Sequence, residues 1–372
     1  MSLRPSTPAV SGPVAPPTGA PRTPATRSSR GRAHGTVPWY APWLILECLL
    51  AVGVVLWQVT GHSLSLFIVA AIVIDAVVVY VWTRVVEGKR NALDELVTII
   101  VASSFAIAMV PLASLIWTVV EKGIHRFDWK FFTSDMRNVT GAGGGGLHAI
   151  LGTIVVTAIA TVCAVPIGIL AAVYLREYGK GWLKQALTFF VDVMTGIPSI
   201  VAGLFAFSIF AAFLGPGIRL GVVGSVALIV LMIPIVVRST EEMLKIVPDS
   251  LREASYALGV PKWRTILKVV LPTALGGVAT GLMIAVARVI GETAPLLVTT
   301  GFVTSVNLNP FSGRMANLPV FSYYSYAVPG VPPGPFIDRA WTAALVLVLM
   351  VLILYIGARL VAFRFGAVSE RR

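Results

Sequence analysis

The chain has 372 residues, 56% of them hydrophobic and only 12% charged, with a formal net charge of +12 and a mean hydropathy of +0.86. A soluble globular protein of this length carries about 25% charged residues, so the composition excludes that class and points to a bilayer. The two cysteines, Cys48 and Cys163, lie in separate apolar runs without metal-ligand spacing and read as small packing residues, which sets aside disulfide scaffolds and thiolate metal sites.

Residues 1–41 are rich in Pro, Ser, Thr, Ala and Arg, contain no apolar stretch of signal-peptide length, and read as a disordered tail. Eight continuous apolar runs follow, at 42–60, 63–82, 96–120, 148–175, 181–214, 220–238, 273–291 and 340–358. A spanning helix needs roughly 20 apolar residues to cross about 30 Å of hydrocarbon. The runs do not alternate, which argues against a closed barrel and gives an all-α, multi-pass helical bundle. Glu47 and Asp75 lie in the first two runs without basic neighbours, and are expected to pair with other helices or with a partner protein.

The segment GAGGGG at 141–146 formally fits a Gly-rich dinucleotide pattern, but no strand precedes it. No G-x-x-x-x-G-K-[ST] occurs, so the sequence offers no nucleotide cradle of its own. The run 181–214 would make one straight helix about 51 Å long. Asp192 and then Gly196, Ile197, Pro198 and Ser199 interrupt it, predicting a break of the kind that lines substrate paths.

Arg238 and Glu241, three residues apart, stand at the inner end of the sixth run, where Arg238 reads either as an interfacial anchor or as an oxyanion ligand. The 34 residues that follow, 239–272, form a polar insert between two spans. Ser250 and Glu253 have capping-box spacing, Leu251, Ala254 and Leu258 share a helical face, and Gly259 suits the left-handed residue that ends a helix. Pro261 opens a second helix, and Pro272 is expected to stop it. Ser255, Gly259 and Thr265 approximate the rhythm of a DNA-reading helix pair, but the insert has no room for a third supporting helix. Beyond it, Arg288 and Glu292 are four apart on one face, placed either to pair with each other or to present a guanidinium to a tetrahedral oxyanion.

Placing the tail in the cytoplasm puts 21 of the 29 basic residues on that side, so both termini are expected there. This bias accounts for most of the net charge without a nucleic-acid partner.

The run Glu253-Ala254-Ser255, Gly259, Val269, Leu271-Pro272 resembles, spacing for spacing, the EAA loop of ABC importer permeases, with Ser255 and Val269 as conservative departures. The longer run from VPDSLREASYALGVPKWRTILKVVLP to ARVIGETAPLLVTTGF, together with GGGGLHAILGTI at 143–154 and TGIPSIVAGLF at 195–205, is similar to phosphate-importer permeases of the PstA type. The resemblance implies a type I importer permease (MetI-like) core of about six spans over 95–360, its EAA loop at 239–272. It leaves two extra N-terminal spans at 42–82 and a cytoplasmic tail at 361–372. It further implies that Glu253, Ala254, Ser255, Gly259, Leu271 and Pro272 couple to the ATPase, and that Arg238, Glu241, Arg288 and Glu292 line the substrate path. The implied partners are a PstC-type permease, two PstB-type ATP-binding subunits that hold the ATP and Mg, and an extracytoplasmic phosphate-binding protein of the PstS type. No cofactor is expected in this chain, which would sit in the cell membrane as a transport subunit and not an enzyme. An importer for another oxyanion such as molybdate or sulfate, an ATP-independent anion channel or secondary transporter, and a regulatory scaffold are the competing readings.

Overall fold

The structure, a computed structural model, describes Pro38, residues 40–60 and residues 64–369. The expected N-terminal tail therefore lies almost wholly outside the described residues. Helices form wherever the sequence is continuously apolar, because within a bilayer only intra-helical bonding satisfies the backbone. Fourteen follow in chain order among the described residues: α1 Ala41–Thr60, α2 Leu64–Val86, α3 Lys89–Gly123, α4 Trp129–Thr133, α5 Leu147–Val173, α6 Gly181–Gly196 and α7 Ser199–Leu214. The remainder are α8 Gly221–Ile246, α9 Asp249–Ala257, α10 Lys262–Thr265, α11 Leu271–Ile290, α12 Ala294–Thr299, α13 Leu318–Ala327 and α14 Gly334–Ser369.

All eight apolar runs fall on these helices. Six spans among the described residues are long and apolar enough to cross a membrane, and the bent pair α6–α7 makes a seventh. α1, apolar over Ala41–Leu56, is shorter. The expected break in the fifth run is present: α6 and α7 meet at 109°. Ile197 is extended, as a residue before proline tends to be, and Pro198 precedes the first turn of α7. Helix α14 continues through Ser369, where a tail was expected from 361.

The chain divides into two compact units, residues 1–110 and 111–372, with the break inside α3 just before Pro111. In the first unit α1 packs on α2, and Gly53 lies close against Phe67. Asp75 points inward: it is buried, its Oδ1 without a hydrogen-bond partner among the described residues, against a small cavity shared with Glu95, Thr98 and Ser103.

The second unit is organised on α5 and α8. Ala149, Gly152, Val156, Ala160, Ala164, Gly168 and Ala172 recur every three or four residues along α5, a stripe of mostly small side chains that lets another helix come close. Gly168 lies directly against Val236 of α8, and Ser225 Oγ donates to the Val156 carbonyl at 3.1 Å. Val156, Ala160, Leu228, Met232, Val236, Ala285 and Val289 form the shared core of α5, α8 and α11. α12 wedges between α7 and α8, where Gly203 faces Pro295 and Gly224 faces Thr300. A buried polar set ties the segment after α12 back to α5. Asn317 caps α13 and donates to Thr300 Oγ1 at 3.0 Å, while Leu318 N–H donates to Thr153 Oγ1 at 2.8 Å.

At the N-terminal end of α5 the glycine segment is a packed turn. Buried Arg339 of α14 donates from Nη1 to the carbonyls of Gly141 and Gly143 at 2.9 and 2.8 Å, and Arg126 Nη2 donates to that of Gly144. The glycines thus serve a turn that two arginines pin, not a nucleotide.

Candidate functional site

The opposite end of α5 meets the polar insert. α5 ends in a π turn, Tyr174–Tyr178, which presents Glu177. α8 runs past the expected end of its span to Ile246, and Pro248 turns the chain into α9. Arg252 of α9 is the anchor of this corner. Its Nη2 donates to Glu177 Oε1 at 2.9 Å and to the Leu244 carbonyl at 3.0 Å, and its Nη1 donates to the Val247 carbonyl at 2.7 Å and to Asp249 Oδ1 at 2.9 Å. Both Arg252 and Glu177 are nearly excluded from solvent, with side chains 9% and 6% exposed. Lys262 caps the same place, donating to the Glu177 carbonyl and lying over the Tyr178 ring. Across the turn, Ser255 Oγ and Thr265 Oγ1 are hydrogen-bonded at 2.8 Å and both are buried.

On α9 the polar Arg252 and Ser255 face the protein, whereas Leu251, Ala254 and Leu258, the last just past the helix and 84% exposed, form an outward apolar ridge beside exposed Ser250 and Glu253. A surface helix normally turns its polar side chains outward, so burial of Arg252 and Ser255 beside an exposed apolar ridge makes this corner a candidate contact surface. Gly259, the residue after the helical turn, has φ +75°, and no atom lies near where its Cβ would be. Conformation, not crowding within this chain, is what requires glycine there.

Several local expectations change. The capping box does not form: Pro248 precedes the helix, no side chain caps it, Ser250 is already inside the first turn, and Glu253 is exposed. Arg252 takes over Asp249, the acid that opens the helix. Pro272 does not stop the second helix. α10, a π turn at Ile266–Val270 and α11 run on as one span, Lys262–Ile290. The wider turn just before Pro272 absorbs the missing N–H and the ring's clash with the preceding turn. Ala254 is exposed on the outer face, Leu271 is half-buried beside Leu244 and Val270, and Pro272 is exposed.

One and a half turns up α8 lies a belt of charge. Arg238 Nη1 donates to Glu241 Oε2 at 3.2 Å, Lys245 Nζ lies 3.3 Å from Glu241 Oε1, and Arg238 Nη2 is bonded to Asp192 Oδ1 of α6. Glu241 is 13% exposed, while Arg238 and Asp192 are 34% and 55% exposed. The structure therefore brings Arg238 and Glu241 together and adds Asp192, which the sequence flagged only as a neighbour of the break.

Arg288 and Glu292 do not pair. Arg288 is exposed near the end of α11, Glu292 lies just beyond it, half-buried, and no ion pair joins them. α11 turns at Gly291 and the helical spacing is lost before Glu292. Gly281 of α11 lies against Ser239 of α8, and Gly277 against Met243. Arg288, seven residues beyond Gly281, is therefore about 10 Å further along the same face of α11 than the level of Arg238. Two guanidinium groups thus stand at successive levels on neighbouring helices. Sequence reasoning missed Arg252 and Glu177, 75 residues apart, and nothing in the neighbourhood of either marks the other.

An all-helical, multi-span chain with an outward apolar elbow at one end and stacked guanidinium groups above it is a membrane-transport subunit. Residues 164–372 match the family described as binding-protein-dependent transport system inner membrane component, and the chain belongs to that family. Among curated relatives, it is 44% identical over 289 residues to "Phosphate transport system permease protein PstA 1" of Mycobacterium tuberculosis, covering 76% of this chain and 91% of that protein. It is 45% identical over 300 residues to the PstA protein of Mycobacterium leprae (79% and 96% covered) and 41% identical over 262 residues to that of Yersinia pestis (69% and 87%). The PstA-type resemblance carried by residues 143–154, 195–205 and 247–302 is matched by relatives that align over most of the chain. In fold the chain is similar to a solved bacterial ABC transporter involved in the import of the acidic polysaccharide alginate, with TM-score 0.54 and 13% identity over 74% of this chain and 98% of that one. A solved alginate ABC transporter in complex with its periplasmic protein gives 0.53 at 12% identity, covering 73% and 94%.

Proposed function

We propose that this chain is the PstA-type permease of an ATP-driven importer for inorganic phosphate. It forms the translocation path with a second, PstC-type permease. Two PstB-type ATP-binding subunits, which hold ATP and Mg, cover the α9 ridge, and a PstS-type binding protein delivers phosphate to the far side. Both termini and the elbow face the cytoplasm, in keeping with the distribution of Lys and Arg. Phosphate as cargo rests on the relatives' names; the observation that carries the coupled mechanism is the outward apolar ridge of Leu251, Ala254 and Leu258, backed by the buried pair Arg252 and Glu177.

The elbow is fixed to the ends of both α5 and α8, so closure of the ATP-binding subunits beneath it tilts the two helices that form the core of the unit. Arg238 and Arg288 offer planar, charged donors to a tetrahedral anion in a wall of low dielectric, with Glu241 tempering Arg238 and Glu292 standing beyond the end of α11 as a further group along the path. The exposure of Arg238 and Arg288 fits a path between this permease and a second one.

Uptake of labelled phosphate by the assembled importer tests the reading. Arg288→Leu removes an exposed side chain with no ion-pair partner among the described residues, so the complex should assemble and lose uptake. Normal uptake removes Arg288 from the path. Competition of uptake by sulfate or molybdate in the unaltered importer distinguishes phosphate from other oxyanions, and flux through the purified chain without ATP would support the channel reading instead.

A further inference from the structure

Of the two carboxylates that meet Arg238 among the described residues, one sits on a different helix. Glu241 is one helical turn away on the same helix and is itself held by Lys245, so it moves with Arg238. Asp192 belongs to a different helix, 46 residues earlier, whose C-terminal end is the 109° break at Ile197 and Pro198. Its side chain is more than half exposed and, among the described residues, its one ion-pair partner is Arg238. A carboxylate and a phosphate are both anions that seek the same guanidinium edge, and they repel each other there, so Asp192 and a bound oxyanion compete for Arg238. The pair also lies at the elbow end of α8, eight residues or about 12 Å from Ile246.

We propose that Asp192 is the release carboxylate of this permease: a positioning residue that reclaims Arg238 from the transported oxyanion on the ATPase side and keeps released anion from binding again. The proposal rests on the phosphate-importer reading. When α6 swings away from α8, Arg238 is uncovered and accepts the anion. When α6 returns, Asp192 replaces the anion, which leaves toward the cytoplasm carrying its own charge, and no covalent bond changes. Glu241 cannot serve in this way, because it never separates from Arg238.

The test uses the complete importer, with both permeases, the ATP-binding subunits and the binding protein, reconstituted in vesicles. Phosphate-driven ATP hydrolysis is measured against inorganic phosphate added on the ATPase side. In Asp192→Asn the KM for phosphate on the delivery side should stay unchanged and kcat should fall, while phosphate on the ATPase side should inhibit at a roughly tenfold lower concentration than in the unaltered importer. Asp192→Glu should restore both quantities. Phosphate acting as hydrolysis product at the nucleotide site is common to all three complexes and cancels. Equal sensitivity of the Asn variant and the unaltered importer to that phosphate overturns the proposal, as does a loss of rate that follows only a loss of assembled complex. If the unaltered importer instead carries another oxyanion, the phosphate reading alone falls, and the same comparison made with that anion decides the role of Asp192.

Discussion

Arg252 and Arg238 stand 14 positions apart at the same end of the molecule, and both hold carboxylates, yet their surroundings differ in kind. Arg252 is sunk in protein and spends its donors on the buried Glu177 carboxylate, two backbone carbonyls and the exposed Asp249 of its own helix. Arg238 is a third exposed and meets only side chains, one of them on a helix that ends in a bend. The first arrangement is a rivet and the second a socket. Burial and the share of backbone acceptors, more than the residue types, decide which an arginine becomes.

That contrast is open to direct attack. The largest effect is expected from Arg252→Leu, which strands the 6%-exposed Glu177 carboxylate; removing one partner of a buried pair costs about 3–5 kcal/mol. Thermal unfolding of the detergent-solubilised complex should show that loss, together with release of the ATP-binding subunits. A variant as stable as the parent would make the rivet ornamental. Gly259→Val comes next, because a β-branched residue at φ +75° costs on the order of 1–3 kcal/mol. Coupled ATP hydrolysis should fall further than stability does, since the turn sets the angle of the ridge. Thr265→Val leaves the buried Ser255 hydroxyl without its partner, at about 1–3 kcal/mol, and should lower the unfolding temperature without altering the KM for phosphate. The smallest change belongs to the socket's rim. Lys245 is half exposed and its pair with Glu241 is worth about 0–1 kcal/mol, so Lys245→Gln should leave stability within error while high salt erases any difference in uptake.

The sequence made the spans legible because a bilayer demands long unbroken apolar runs, and it made the break at Pro198 legible because proline acts locally. The elbow's existence was equally plain from Gly259 and the spacing of 253–272. What it hid were contacts between residues far apart in the chain, Glu177 with Arg252 and Asp192 with Arg238, since neither partner's neighbours announce the other. It also misled where two local rules competed. Ser250 and Glu253 have the spacing of a capping box, but Pro248 and Asp249 start the helix two residues earlier and Arg252 claims the acid. Arg288 and Glu292 have the spacing of an ion pair, but the helix ends between them. Pro272 has the look of a stop, but a π turn before it carries the helix through.

The most direct test places a photoreactive side chain at position 258, on the crest of the α9 ridge, in the assembled importer. The account predicts an adduct with an ATP-binding subunit whose yield changes between nucleotide-free and ATP-bound complexes. An adduct confined to lipid or to the other permease, unchanged by ATP, would contradict it.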